Sequence, residues 1–420
     1  MAQDQQVADI TDQDVARVQQ IRQFLPTTTN SIVNFDREVV KRDARDTVII
    51  VHESFPKLCQ LFLEHKVRHG SNVERFLYMS LSYRQMIIRL VEKRPLSFLT
   101  AADTTKLRDG KVIANAAVFW DRVGTPEEDP NEDIKLEDYL SYDEMMLSAL
   151  VGVSGPSYFV NDGDRNNRAR PGPSGTFEER GVIIGLVGAR FERPDRMEAT
   201  YILPPVENPR MHPELLKIWQ KYLGIAPTAP ETTFNEVAYQ KRIRITAEML
   251  LWEANSRAGA VEKKAYVHIV GLGLGVWQVV DRQAQLYVDV FAQVIEELGA
   301  EMTELGTLDF AWIDVTYEDR TRMRGAAQAH GIDVRFSKRN PATKLPHDKA
   351  DQLLVLSYAW DSNSFPGNEY WLKQLSASGD PAAACMSTIA ELHNPVINRD
   401  FLQRMEPRVY YSVPYRVKGN

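Results

Sequence analysis

Residues 265–278 read AYVHIVGLGLGVWQ, and the fold class hangs on how they are taken. Ala265 to Val270 is a short apolar run closed by glycine, the pattern of a buried strand. Gly271, Gly273 and Gly275 follow, then Val276 and Trp277. From Asp281 to Leu298 the apolar positions Ala284, Val288, Phe291, Ile295 and Leu298 recur on one helical face. The same alternation continues towards the C-terminus. Strands are predicted at Leu308–Asp314, at Ile332–Phe336 and from Leu353 through Tyr358, with a helix over Glu318–His330. Strands alternating with helices predict an α/β layer structure.

The glycine segment narrows the ligand question. Strand, glycine turn and helix together form a phosphate cradle, where free N–H groups and the helix dipole attract an anion. A dinucleotide fingerprint needs glycine at position 276, which is Val276, and no Gly-Lys-Ser/Thr is present. The segment is therefore either a seat for a pyrophosphate held in another way or a tight packing turn.

The strand at Leu353 leads into residues 359–391, AWDSNSFPGNEYWLKQLSASGDPAAACMSTIAE. Asp361, Glu369 and Asp380 sit in loops that meet at one end of the sheet, beside Asn363, Ser364, Gly367 and Asn368. In open α/β sheets ligands bind outside the carboxyl ends of the strands. Asp380-Pro381 also reads as a helix start and Asp361 as a turn residue. The density of Trp360, Phe365, Tyr370 and Trp371 around the acids favours a site.

Further out, residues 1–100 are expected to form a helical region and 101–420 the core. Ile10, Val15, Val18 and Ile21 recur at helical spacing. Ser71 and Glu74 form a capping box for a helix with Val73, Phe76, Tyr83, Ile87 and Leu90 on one side, ending before Pro95. His65 and His69 share a helix face without a third ligand, so no metal is expected. The acidic run 125–133 reads as a solvated linker, Leu136–Leu150 as a helix and Gly152–Ser157 as a turn. Residues 161–181, nearly devoid of apolar side chains, read as a long mobile loop or lid. Gly181–Phe191 is a strand with Glu198–Leu203 as its hairpin partner. Pro213–Leu223 is a short helix, Thr233 and Glu236 cap a long one reaching Arg257, and Tyr410–Tyr415 adds an edge strand.

Composition excludes several classes. The chain has 420 residues, 44% hydrophobic and 25% charged, with a formal net charge of -7. That balance argues against a general nucleic-acid binder. The two cysteines, Cys59 and Cys385, cannot build a disulfide framework and suit a reducing compartment. The polar, acidic N-terminus is no secretory signal, and no window approaches the ~20 apolar residues of a membrane helix. A cytoplasmic protein is expected; an exported effector acting in a host cytosol has the same character. No Ser-His-Asp order and no G-x-S-x-G elbow occurs, and the histidines do not cluster near the acids. What remains is acid chemistry beside a phosphate loop, which suits a ribose–diphosphate ligand.

Residues 266–278, YVHIVGLGLGVWQ, together with 357–371 and 376–395, SYAWDSNSFPGNEYW and SASGDPAAACMSTIAELHNP, resemble a divergent macrodomain family. It is typified by the Legionella effector MavL and has eukaryotic relatives. The likeness covers residues 266–395, is fainter over 140–205 and is absent from the first hundred. It implies a three-layer α/β/α macrodomain-like mixed sheet that binds ADP-ribose, as ligand and product, without metal or cofactor. It implies an arginine-specific ADP-ribosylhydrolase acting on ADP-ribosylated ubiquitin, with no nucleic-acid or membrane partner. Asp361, Glu369 and Asp380 fall on the family's acidic positions, where this chain carries Glu369 against the family's Asp. By the same resemblance Gly271, Gly273 and Gly275 carry the diphosphate, with Val276 and Trp277 beside them. Asn363, Ser364 and Asn368 contact ADP-ribose, and Ser378 and Gly379 line the distal ribose. The alternative is a module that binds ADP-ribose without cleaving it.

Overall fold

A computed structural model describes residues 11–99, 102–229, 232–376, 378–403 and 408–410. Its strands in chain order are β1 (Val48–His52), β2 (Ser97–Leu99), β3 (Thr104–Lys106), β4 (Val112–Ile113), β5 (Val151–Tyr158), β6 (Arg180–Leu186), β7 (Ala265–Ile269), β8 (Leu305–Ala311), β9 (Asp333–Ser337), β10 (Leu353–Ala359) and β11 (Arg408–Tyr410). Eight of them form one mixed sheet in the order β11-β1-β5-β6-β10-β7-β8-β9, and β2-β3-β4 form a small antiparallel sheet. From β6 to β9 every pairing is parallel; β5 runs antiparallel to both β1 and β6.

The chain winds outward through β7, β8 and β9 and then returns to insert β10 between β6 and β7. Leu353 pairs with Ala265 on one side and Val355 with Val182 on the other. Each residue of β7 is buried, as is Leu354 through Tyr358 of β10. Continuous burial along a strand means that both faces are covered, which is why these strands read as unbroken apolar runs. The helix Glu236–Gly259 packs across β1, β6, β7, β8, β10 and β11, while Gly379–Met386 packs on β10 and Arg37–Asp46 on β5. No helix among the described residues is long and apolar enough to cross a membrane.

The mixed α/β class and β6 to β10 agree with the sequence reading, and several local expectations do not. Residues 48–52, read as part of a helical region, are β1 within the large sheet. Gly152–Ser157, read as a turn, belongs to β5. Its small residues are packing requirements: a Cβ on Gly152 would stand 2.7 Å from Leu186 Cδ2 and 2.8 Å from Ile50 Cγ1. Pro156 is tolerated because β1 pairs only as far as Ser154, so the missing N–H breaks no ladder. Glu198–Leu203 is no hairpin strand but contains the short helix Ala199–Ile202.

The helix opened by the Ser71–Glu74 box stops at Tyr78, and a second box, Ser82 with Gln85, starts Tyr83–Glu92. Phe76, expected on the buried side, is 83% exposed. The predicted Leu136–Leu150 helix shortens to Tyr142–Ser148, and Asn235 rather than Thr233 caps the long helix. Within the acidic run, Glu128 is buried and accepts from the Gly124 and Leu136 N–H groups. The 161–181 segment, apart from its entry to β6, is irregular and tied down by buried Ala169 and Phe177. Ile10 and residues 411–415 lie outside the described residues.

Candidate active site

β6, β10 and β7 are adjacent and parallel, so their carboxyl ends deliver three loops to one place. The loop after β6 brings Arg190 and Glu192, the loop after β10 brings Asp361 through Trp371, and the loop after β7 brings the glycines. The insertion of β10 creates the reversal of strand order at which α/β sheets open a crevice.

The acid loop is tied together by its own carboxylates. Asp361 accepts the Asn363 N–H on Oδ1 at 2.9 Å and Asn368 Nδ2 on Oδ2 at 2.7 Å. Asp380 accepts the Gly367 N–H at 2.9 Å and the Asn368 N–H at 2.6 Å. Asn368 is the hub, because it also grips β2. Its Oδ1 accepts from the Phe98 N–H at 2.7 Å and from Ser97 Oγ at 3.1 Å, and its Nδ2 donates to the Phe98 carbonyl at 2.9 Å. A helix does start here, Gly379–Met386 with Asp380 in its first turn, but Asp380 does not cap it. Ser378 occupies the N-cap position, and the Asp380 carboxylate is taken up by the acid loop. Ser378 Oγ turns instead to Glu369, at 3.1 Å from both carboxyl oxygens. Ser364 Oγ is buried and has no hydrogen-bond partner.

Electrostatics separate the acids. Burial raises the Asp361 carboxyl to about 7, against the lowering effect of Arg190 and the Asn363 N–H. Asp361 remains only half-buried as a residue, so the crowding acts on the carboxyl while a route to solvent persists. Burial also raises Asp380, and the charges of Asp361 and Glu369 push the same way; its two N–H bonds act in the opposite direction. Acids that share a site titrate as a set, the first proton held more tightly than an isolated carboxyl would hold it.

The glycine loop reaches this centre through Arg190, whose guanidinium lies 5.9 Å from the Trp277 ring centre. Arg190 donates to the Asp361 carbonyl and to Asn363 Oδ1. Gly273 has φ +80°, and a Cβ there would meet the Ala189 carbonyl at 3.0 Å, so only glycine fits comfortably. Gly275 has open space around its Cα, and Val276 is 89% exposed. The helix expected at Asp281 begins at Gln283. Its first side chain grips the loop, donating to the Trp277 carbonyl and accepting from the Val279 N–H. Gly379 opens the helix that carries Asp380.

Three residues here escaped the sequence reading: Arg190, Glu192 and Arg94. Burial raises Glu192, whose Oε2 lies 3.9 Å from Arg190 Nε. The signal for Arg190 and Glu192 was available, as charged residues directly after an apolar run that ends a strand. Arg94 sits before Pro95 with no local pattern; it stacks on Trp360 at 4.4 Å from the ring centre. The loop after β6 is set from behind by the fully buried Arg242–Glu198 pair. Arg242 also donates to the carbonyls of Ala149, Val187 and Gly188, and Glu198 accepts the Arg190 N–H at 2.7 Å.

Elsewhere His212 joins His65 and His69, with His65 Nε2 3.3 Å from His212 Nδ1. No group of three or more ligating side chains suited to a metal occurs among the described residues. Two surface cavities of about 310 and 330 Å³ are lined by Phe35, Tyr158 and Phe177 and by Arg17, Arg108 and Asp138, and neither is lined by the acids.

Comparison with known proteins gives the lineage. A family profile described as ADP-ribosylhydrolase MavL-like matches residues 26–209 and 211–412, so the likeness begins well inside the N-terminal region where the sequence reading found none. The chain is 34% identical over 390 residues to ADP-ribosylarginine hydrolase CG2909 of Drosophila melanogaster, covering 84% of this chain and 76% of that protein. It is 36% identical over 392 residues to ADP-ribosylarginine hydrolase CG3568 of the same fly, with the same shares covered. With the profile spanning most of its length and both acid and glycine loops inside the match, the chain belongs to the MavL-like ADP-ribosylhydrolase family.

Proposed function

We propose that the protein removes mono-ADP-ribose from arginine side chains of proteins, with ubiquitin as the first substrate to test. The observation that carries this reading is the Asp361 carboxyl, raised to about 7 by burial and held at both oxygens by Asn363 and Asn368. A general base works best when its pKa lies near the working pH and its position is fixed. The two fly relatives are named as hydrolases of ADP-ribosylarginine, and the proposal takes that activity over to this chain.

In the proposed reaction ADP-ribose lies across the crevice, its diphosphate along Gly271, Gly273 and Gly275 and its distal ribose among the acids. Glu369, steadied by Ser378, binds ribose hydroxyls. Asp380 holds Gly367 and Asn368 in place, and through Asn368 it orients Asp361. Asp361 directs a water at the anomeric carbon and takes its proton as the C–O bond forms. The C–N bond to the guanidine breaks, and the departing guanidine receives that proton, so one water is consumed and no net proton is released. Nearby carboxylates steady the positive charge that develops on the ribose ring. The reaction uses water and carboxylates, and no metal or cofactor is assigned to it.

The scaffold in this reading is a three-layer macrodomain-like fold, in keeping with the burial of both faces of β7 and β10. A cytoplasmic site of action fits Cys59 and Cys385, which are buried and unpaired. The test is incubation with arginine-ADP-ribosylated ubiquitin followed by intact mass. Wild type is expected to remove the ADP-ribose mass and Asp361→Asn to leave it. Binding of ADP-ribose with no removal by wild type would replace the hydrolase with a reader of the modification.

A further inference from the structure

We infer that Arg94, supplied by the N-terminal part of the chain, is a phosphate contact of the ADP-ribose site. The anion's identity rests on the reading above; the need for an anion rests on the geometry alone. Arg94 is 1% exposed, and its Nε and Nη2 have no hydrogen-bond partner. Burial lowers the Arg94 guanidinium to about 9, which leaves it charged at neutral pH, and it presents its N–H donors in a fixed fork. The Trp360 ring beneath it holds the plane but accepts none of those N–H groups in the way an oxygen does.

Three nearby carboxylates already accept hydrogen bonds from other donors. Asp361 is taken by Asn363 and Asn368, Asp380 by Gly367 and Asn368, and Glu369 by Ser378. Glu192 Oε2 is itself without a hydrogen-bond partner, and the cation it lies against is Arg190, 3.9 Å away at Nε. The backbone cannot swing the side chain away, since the Arg94 carbonyl accepts from Arg108 and the Pro95 carbonyl accepts the Phe365 N–H. Arg94 nevertheless lies beside the acid loop: it stacks on Trp360, the residue before Asp361, and the next residue, Pro95, accepts the Phe365 N–H at 2.9 Å. Arg190 Nε is likewise without a hydrogen-bond partner. Two guanidinium groups with orphan donors therefore stand at one site, and no carboxylate of that site offers an oxygen to those N–H groups within hydrogen-bond distance. A diphosphate brings the missing oxygens and the missing negative charge, and its oxygens match the guanidinium fork.

The test is calorimetry of the full chain with ADP-ribose, inorganic pyrophosphate and adenosine, for wild type, Arg94→Gln and Arg94→Lys. Losing a charge-assisted contact weakens affinity by roughly tenfold or more. That loss is expected for ADP-ribose and pyrophosphate in Arg94→Gln, with adenosine unchanged and Arg94→Lys in between. Melting of the ligand-free protein is expected to be unchanged or higher in Arg94→Gln, since the variant removes an unpaired buried charge. A lower melting temperature with unchanged ADP-ribose affinity would make Arg94 structural and overturn the inference alone. Equal weakening for adenosine and ADP-ribose would overturn it too. If wild type ignores ADP-ribose but binds pyrophosphate in an Arg94-dependent way, the phosphate contact stands and the ADP-ribose reading falls. Wild type that binds neither overturns both.

Discussion

The acid loop and the glycine loop leave neighbouring parallel strands, yet they are built in opposite ways. From Ser362 to Asn368 the acid loop is buried, and each of its carboxylates is held by named donors. The glycine loop is fixed at Gly273 and then runs out to Gly275, with open space around it, and to Val276, 89% exposed. The first arrangement holds its carboxylates within a narrow geometry before any ligand arrives, as the proposed reaction requires. The second leaves backbone free to meet a ligand at the surface. Changes in the acid loop should therefore strike turnover or folding, and changes at the outer glycines should strike binding alone.

The largest expected effect is on turnover. Asp361→Asn should lower kcat by ~10²–10⁴-fold, the range for removing a general base, while ADP-ribose affinity stays within a few-fold; calorimetry beside the mass assay checks both. Equal loss of affinity would erase the contrast between the loops.

Next comes stability. Asn368→Ala removes the bonds to Asp361 and to β2 and leaves buried partners unsatisfied. A cost of about 2–4 kcal/mol is expected, read as a lower denaturation midpoint. Gly273→Ala should cost about 1–2 kcal/mol through its left-handed φ and the Ala189 carbonyl. Gly275→Ala, with nothing within 4 Å, should leave the midpoint unchanged and weaken only ADP-ribose binding. A stability loss there would mean that the loop packs more tightly than described.

The smallest effect is a shift in pH dependence. In the proposed reaction Asp361 serves as a base only when ionised, so kcat/KM should rise with pH and level off above about 7, where its carboxyl titrates. The charge of Glu369 is among those that raise Asp361. Glu369→Gln should therefore move the rising limb to lower pH in whatever activity remains. A limb that moves upward instead would separate Glu369 from Asp361 electrostatically.

Much of this architecture was legible in the chain, for reasons that also explain the gaps. β6 through β10 could be read because strands buried on both faces leave continuous apolar runs. The acids stood out because polar residues and aromatics crowd one loop after such a strand. β1 was hidden because VIIVH runs on at once into the Phe55–His69 helix. β5 was hidden because Gly152, Gly155 and Pro156 imitate a turn unless the neighbouring strands are known. Asp380 was ambiguous as long as only its own helix was considered, and its partners Gly367 and Asn368 settle it. Arg94, Arg190 and Glu192 are neighbours of Asp361 only because β10 enters between β6 and β7 and because β2 meets Asn368, and no local spacing encodes either event.

The late entry of β10 also bears on how the protein comes into being. Synthesis proceeds from the N-terminus, so β6 and β7 leave the ribosome long before the strand that separates them. Among the described residues the first and last strands of the large sheet in sequence, β1 and β11, are also partners. A nascent chain thus holds Arg94, Arg190 and the glycine loop with no acid loop to join them. The contacts that assemble the centre, β10 with β6 and β7 and Asn368 with β2, are long-range, and long-range pairing is intrinsically slow. A chain that stops before β10 therefore lacks the loop that joins these groups into one centre.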